Sequence, residues 1–147
     1  MLEYLISGIS ILTTASIGSY FTTKSVKSDW YNKIKPKSTP PNYVFPIVWT
    51  ILYIMLFFAF ADVIQKHDYI TIGVFVINLL LNILWCYLYF AMKEPKYALA
   101  ALILLIITNF IIIWRAYIIS SDYYLCVLML PYTLWLLFVG YLNLRSV

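Results

Sequence analysis

The sequence is poor in charged residues, in glycine and in residues that bind metals. Only 11% of its 147 residues are charged, and it contains four glycines, two cysteines and one histidine. Soluble domains carry about 25% charged residues, so this composition excludes an ordinary soluble fold. It also argues against nucleic-acid binding, because there is no soluble basic domain to carry that function. We expect one membrane domain covering residues 1–147.

The few charges leave five long stretches without any charge. Each has about the length that a helix needs to cross the hydrocarbon core, roughly 20 residues. None alternates apolar and polar residues as a transmembrane strand would. The sequence therefore predicts an all-α integral membrane bundle of five transmembrane helices. The predicted helices are residues 3–23, 43–65, 69–92, 96–116 and 122–144, and the longest connection is residues 24–42.

The lysines and arginines predict the orientation of this bundle. Eight of the ten lie in residues 24–42, between the third and fourth helices, or at the C-terminus. Positively charged loops stay on the cytoplasmic side. We expect residues 24–42 and the C-terminus in the cytoplasm and the N-terminus outside. Low glycine with many Ile, Lys, Tyr and Asn residues is typical of an AT-rich genome and favours a bacterial inner membrane.

Chemistry-bearing motifs are missing. No nucleophile with its base, phosphate loop or metal cluster is present, so a conventional enzyme is not supported and no metal site is expected. His67 stands alone, and the two cysteines are interpreted as packing residues. Asp62, Arg115 and Asp122 lie near helix ends, where snorkelling or interfacial hydration explains them. Active ion-coupled transport is disfavoured because it depends on ionisable groups deep in the membrane.

Aromatic residues are abundant instead, with 28 Phe, Trp and Tyr side chains. Trp49, Tyr53 and Phe57 are spaced i, i+4 and i+8 on one helix face. We favour a protein interior for this stripe over lipid, because an indole N–H at the depth of Trp49 finds no partner in lipid. Asn78 and Asn82 must be paired with other helices or with a ligand, and interhelical hydrogen bonds are favoured for both.

The other spans add further aromatic faces. Trp85 and Tyr89 follow the asparagines on the same side of the third span, and Tyr132, Trp135 and Val139 share one face of the fifth. The small residues of the first span predict close helix packing. Rings with a few amides and hydroxyls suit a flat hydrophobic ligand. Lysines of residues 33–37 could meet its acidic groups, although anionic-lipid attraction explains them as well.

Three spaced motifs resemble the TspO/MBR family, which includes the translocator protein or peripheral-type benzodiazepine receptor. The motifs are Trp30-Tyr31, Lys35-Pro36, Pro40-Pro41, Val44-Phe45, Trp49-Thr50 and Leu52-Tyr53; then Leu81-Asn82 with Trp85; then Leu130-Pro131-Tyr132, Trp135, Phe138 and Asn143. The resemblance covers nearly the whole chain. It implies a five-helix bundle, commonly a homodimer, with a pocket closed by the first loop. No cofactor is required, but a porphyrin or haem-type ligand is implied as possible.

The resemblance implies a binding protein, sensor or translocator for porphyrins such as protoporphyrin IX. Two alternatives stay open: a light-dependent porphyrin-degrading photooxidase that uses Trp49 and Trp135, and a sterol, lipid or small-molecule transporter. Other implied ligands are sterols, isoquinoline carboxamides and benzodiazepines, together with membrane lipids. The implied ligand-binding residues are Trp30, Tyr31, Pro41, Phe45, Trp49, Tyr53, Asn82, Trp85, Tyr89, Tyr132, Trp135, Phe138 and Val139.

The sequence departs from the family pattern at three points. Val139 stands where the family usually has alanine, so the pocket is expected to be narrower there. The C-terminal cholesterol motif of animal members lacks its usual tyrosines in this chain. The third span has no stripe of small residues at every fourth position, which weakens the expectation of the family's dimer.

Overall fold

A computed structural model describes all residues from 1 to 147, and every regular element in it is a helix. The elements are α1 (Leu2–Ser25), α2 (Asp29–Ile34), α3 (Val44–Gln65), α4 (Tyr69–Cys86, continued by a π-helical turn Tyr87–Ala91), α5 (Pro95–Trp114, continued by a π-helical turn Arg115–Ile119) and α6 (Tyr123–Leu144). Five of them are long and apolar enough to cross a membrane. The predicted all-α bundle of five transmembrane helices is confirmed, with bounds that differ by no more than three residues.

The five long helices form a closed ring. Helix α1 packs against α3 and α4, α3 also packs against α6, and α5 lies between α6 and α4. Leu56, Phe75, Leu102 and Met129 are fully buried inside this ring. Large apolar side chains also cover its outside, where Leu12 is 68% exposed. Helices that carry apolar side chains both inside the bundle and on its outer surface are stable only when lipid surrounds them. The chain is therefore an integral membrane protein.

The segment 24–42 is more ordered than a loop. Ser28 begins the short helix α2, and its hydroxyl accepts a hydrogen bond from the backbone N–H of Tyr31 at 3.2 Å. Asp29 in the first turn stabilises the helix, because its negative charge lies near the positive end of the helix dipole. Residues 24–42 were predicted only as a connection, and the Ser28-Asp29 pair is the sequence signal for this short helix. Helix α6 meanwhile stays helical on both sides of Pro131.

Candidate functional site

A cavity of about 450 Å³ lies beneath α2, bounded by α1, α3, α4 and the C-terminal part of α6. Its volume is in the range of small-molecule sites, roughly 300–1,000 Å³. Aromatic rings make up much of its wall, and the polar groups among them are few. The rings belong to Tyr31, Phe45, Trp49, Tyr53, Trp85, Tyr89 and Phe90.

Helix α3 supplies a stacked pair to this wall. The rings of Trp49 and Tyr53 lie 5.5 Å apart at an interplanar angle of 29°. They stack because residues four apart on a helix lie one above the other. Trp85 from α4 lies 6.3 Å from Trp49, which brings two indoles together at the cavity. The prediction that Trp49 faces the protein interior is confirmed.

The π-helical turn of α4 turns two consecutive rings inward. Tyr89 and Phe90 are both buried. This is unusual for consecutive residues, because neighbouring side chains of an α-helix point about 100° apart. A π turn widens the helix locally, and such turns occur frequently at functional sites. The hydroxyl of Tyr89 shares a hydrogen bond with that of Ser146 at 2.8 Å, so the C-terminal segment is fastened to the same turn.

Helix α2 rests on the π turn as a lid. The ring of Trp30 meets Tyr89 edge-on at 5.9 Å, and Tyr31 lies 6.0 Å from Phe90. The ammonium group of Lys35 lies 5.7 Å from the Tyr31 ring. Burial, and to a smaller extent the neighbouring Tyr89, raises the pKa of Tyr31 to about 12. Contacts between rings, without an ion pair, therefore hold the lid in place.

Three polar side chains of the segment 35–42 line the mouth of the cavity, namely those of Lys35, Thr39 and Asn42. The Thr39 hydroxyl is buried without a protein partner. A buried hydroxyl without a partner is unfavourable, and a ligand oxygen would remove that cost. The mouth can therefore offer a cation and a hydroxyl donor to an acidic group.

The predicted ligand-binding residues divide into two layers. Those that line the cavity are Tyr31, Phe45, Trp49, Tyr53, Trp85, Tyr89 and Val139. Those that do not line it are Trp30, Pro41, Asn82, Tyr132, Trp135 and Phe138. Trp30 and Pro41 of this second group lie in residues 24–42, and the other four lie on α4 and α6, outside the lining of the cavity.

Trp135 illustrates the second layer. Its ring lies 6.4 Å from Trp49 and 5.7 Å from Phe45, so it supports two rings of the wall from behind. Its indole N–H is buried without a partner. Trp85, in contrast, donates from its indole nitrogen to the side-chain oxygen of Asn143 at 3.0 Å.

Helix α1 provides the part of the wall that the sequence analysis missed. Its contribution consists of Ala15, Ser16, Gly18, Ser19, Thr22 and Thr23. The close helix packing predicted from the small residues of the first span is present at Gly18, and the lining residues around it leave space opposite the aromatic rings. At Gly18 an added methyl group would lie 3.3 Å from the sulfur of Cys86, so contact there is tight. The sequence signal for this part of the wall is the combination of a small-residue face on α1 with the aromatic stripe on α3.

The opposite end of the bundle holds a smaller cavity, about 300 Å³, lined by charged residues. Lys66, just after α3, forms ion pairs with Asp62 on the same helix and with Asp122 at the start of α6. Asp122 also accepts the backbone N–H of Leu125 at 3.0 Å, which caps α6. Burial alone would raise the pKa of Asp122, but the hydrogen bonds from Lys66 and Leu125 outweigh it and lower that pKa.

A third ion pair joins α4 to α5 at the same end. Arg115 pairs with Asp68 at 3.0 Å and donates to the Thr71 hydroxyl at 2.9 Å. Burial would raise the pKa of Asp68, but hydrogen bonds from Thr71 and Arg115 lower it below its usual range. The expectation that Asp62, Arg115 and Asp122 are explained by snorkelling was wrong. They are ion-paired, and we call this region the ion-paired end.

The fold and the cavity together define a five-helix membrane protein with an aromatic ligand cavity under a lid. The model of the TspO/MBR family matches residues 7–147, and the chain belongs to this family. It is 35% identical to a tryptophan-rich protein TspO of Chlorobaculum tepidum over 90% of this chain and 85% of that protein. It is 33% identical to the protein of the same description in Archaeoglobus fulgidus, over 97% of this chain and 94% of that one. A translocator protein homolog of Schizosaccharomyces pombe is 30% identical over 80% and 75%.

Proposed function

We propose that the protein is a membrane-embedded binding protein and sensor for flat aromatic ligands that carry acidic groups, with protoporphyrin IX as the representative. The observation that carries this proposal is the cavity of aromatic rings with Lys35 and the unpartnered Thr39 hydroxyl at its mouth. Rings bind the flat body of such a ligand by stacking, and the mouth binds its carboxylates. Sterols, isoquinoline carboxamides and benzodiazepines are further candidates for the same rings.

Sensing is favoured over passage across the bilayer by the shape of the interior. One helical turn beyond the lining residues Tyr53 and Val139, Leu56 and Leu136 are both 0% exposed. A ligand that left towards the ion-paired end would have to open this packed layer and break ion pairs beyond it. Translocation, which the printed name of the fission-yeast relative suggests for that protein, is the alternative. We place the lid on the cytoplasmic side of a bacterial inner membrane, following the positive charges.

Titration of the protein in lipid nanodiscs with protoporphyrin IX tests the binding function. We expect saturable quenching of tryptophan fluorescence, and a weaker affinity, by about tenfold, after Trp49→Phe. Trp114→Phe is the matched control, because this indole is 56% exposed on the outside of the bundle. Equal affinities in the wild type and both variants would refute the assignment of the cavity.

Light-dependent porphyrin breakdown is the second candidate, and one observation favours it. Trp49 lines the cavity, and Trp85 and Trp135 lie 6.3 Å and 6.4 Å from it, so three indoles are in contact beside the ligand space. Following the porphyrin absorption band of the bound complex in light and in darkness separates the candidates. If illumination removes no more of the absorption band from the complex than from free porphyrin, binding without breakdown is supported. Loss of the band only when protein is present, and less of it after Trp49→Phe, supports breakdown.

The homodimer implied by the resemblance also belongs to this proposal. Crosslinking or mass determination of the nanodisc-embedded protein, with and without porphyrin, tests it. Two copies per disc at low protein density are the expected result, and a single copy throughout would refute the dimer.

A further inference from the structure

A chain of hydrogen bonds runs from the cavity wall into the dry centre of the bundle. The Tyr53 hydroxyl donates to the side-chain oxygen of Asn82 at 3.3 Å. The amide nitrogen of Asn82 donates to the Tyr132 hydroxyl, also at 3.3 Å. Asn82 and Tyr132 are 1% and 0% exposed, so water does not compete for these groups. Only Tyr53 reaches the cavity.

The chain ends on the backbone of α5. The Tyr132 hydroxyl donates to the side-chain oxygen of Asn78 at 3.0 Å. The amide nitrogen of Asn78 donates to the Leu105 carbonyl at 3.2 Å and to the Thr108 hydroxyl at 2.9 Å. The Thr108 hydroxyl donates its own proton to the same Leu105 carbonyl, at 2.8 Å.

The carbonyl of Leu105 fixes the direction of every bond in the chain, because a carbonyl oxygen can only accept. The NH₂ group of Asn78 must face it, so the oxygen of Asn78 faces Tyr132 and accepts that proton. Tyr132 must then accept from the NH₂ group of Asn82, and Asn82 turns its oxygen to Tyr53. Reversing the chain would press the oxygen of Asn78 against the Leu105 carbonyl, which is unfavourable in a buried site.

Tyr53 consequently has no proton to give to a ligand. Its hydroxyl oxygen still has accepting capacity and lies at the cavity wall near Gly18, where an added methyl group would be 3.9 Å away. Two other polar side chains of the cavity wall are already paired with protein groups. The indole of Trp85 donates to Asn143, and the Asn143 amide donates to the Pro95 carbonyl at 2.9 Å.

We infer that Tyr53 is a specificity-determining hydrogen-bond acceptor that selects ligands with an N–H or O–H group at the deep end of the cavity. The mouth, with Lys35 and the Thr39 hydroxyl, offers donors, so the two ends have opposite polarity. The ligand class is then an aromatic ring system with an acid at one end and a pyrrole-type or indole-type N–H, or a hydroxyl, at the other. A carbonyl or ether oxygen at the deep end is disfavoured. This inference rests on the proposed function, because it requires a flat aromatic ligand in the cavity.

Three tricyclic probes of nearly equal shape test the polarity of Tyr53. Carbazole presents an N–H donor, fluorene a neutral CH₂ group and dibenzofuran an oxygen acceptor at the same ring position. Calorimetric titration into protein-containing nanodiscs, corrected with empty discs, gives their dissociation constants. We expect carbazole to bind about fivefold more tightly than fluorene, the gain typical of one net hydrogen bond, and dibenzofuran to bind no better than fluorene.

Tyr53→Phe removes the acceptor and should make the three affinities equal within about twofold. Tyr117→Phe, on the exposed outside of the bundle, is the matched control and should keep the wild-type order. Equal affinities of the three probes for the wild-type protein would overturn the inference even if the variant does not fold. A preference for carbazole that survives Tyr53→Phe would overturn it as well. Absence of saturable binding by every probe would overturn the inference too, whereas the proposed function fails only if protoporphyrin IX does not bind either.

Discussion

The two ends of the bundle are closed by different physical means. At the lid end, a helix of six residues rests on aromatic rings, with cations near ring faces and no ion pair. At the ion-paired end, two aspartates each cap a helix and also pair with a cation from another helix. Ring contacts can be broken and remade without leaving a charge unpaired. Separating a partly buried ion pair, in contrast, leaves each charge without its partner, which is costly. The lid end can therefore open at a lower cost than the ion-paired end.

The largest effect is expected from breaking the ion-paired end at Asp122. Asp122→Ala removes the partner of Lys66 and the cap of α6, and the Asp122 side chain is only 6% exposed. We expect a loss of about 2–3 kcal/mol in the free energy of unfolding, the sum of a lost cap and a lost charge-assisted bond. Thermal unfolding of the purified protein measures it, and porphyrin affinity should change little.

Glu94→Ala is the matched control for that variant. Glu94 also precedes a transmembrane helix, α5, but its side chain makes no capping hydrogen bond and it is exposed. Surface substitutions of this kind usually change stability by less than about 0.5 kcal/mol. Similar losses in both variants would show that the ion pairs do not hold this end.

Trp85 and Trp135 at the lid end should respond differently to the same change. Trp85→Phe leaves the Asn143 oxygen buried without its donor, whereas Trp135→Phe removes an N–H that has no partner. Both variants lose a similar volume. We therefore expect Trp85→Phe to cost about 1–2 kcal/mol more in unfolding free energy than Trp135→Phe. Chemical unfolding followed by tryptophan fluorescence and circular dichroism measures the difference, and equal costs would contradict this account of the wall.

Much of the fold was predictable because it follows from hydrophobic length alone. Charges at intervals of about 20 residues marked all five spans, since a charge inside hydrocarbon is costly. The helical stripe of Trp49 and Tyr53 likewise predicted one wall of the cavity. These are local properties, set by spacing within one helix.

The remainder depended on which helices are neighbours, and spacing within one helix does not specify that. Trp135 was expected in the wall, but the ring order of the helices puts Trp49 in front of it. The π turn at Tyr87–Ala91 has no local sequence signal that we could read. The pairing of Arg115 with Asp68 joins residues 47 positions apart, so it was invisible from either helix end.

Val139→Ala should change the ligand preference of the lid end with a smaller effect on stability. Val139 lines the cavity and is 3% exposed, so shortening it enlarges the space beside α6. We expect the affinity for protoporphyrin IX to rise about tenfold, within the 1–3 kcal/mol that one or two methyl groups are worth. Fluorene, which is smaller, should bind with nearly unchanged affinity. A parallel rise for both ligands in nanodisc titrations would mean that Val139 does not limit ligand size.

Acid should weaken the ion-paired end selectively, and this is the smallest of the expected effects. The pKa values of Asp68 and Asp122 are lowered in the folded protein. Their contribution to stability is therefore present above the unfolded pKa of about 3.9 and is lost as the pH falls through the folded pKa values. Lys66, whose pKa is raised, stays charged throughout this range. The Tyr31 pKa of about 12 is raised, so the lid loses stability only in alkali, between about pH 10 and 12.

Thermal unfolding of the wild type and of Asp122→Asn between pH 7 and pH 3 measures the acid effect. The amide keeps the shape of the carboxylate without its charge, so the variant should melt at a lower temperature at neutral pH. As the pH falls below the unfolded value of about 3.9, the stability that the lowered pKa of Asp122 contributes declines, and the two melting temperatures should converge. A gap that stays constant down to pH 3 would mean that shape and capping, and not charge, hold this end. The contrast with the lid would then be one of hydrogen bonding alone.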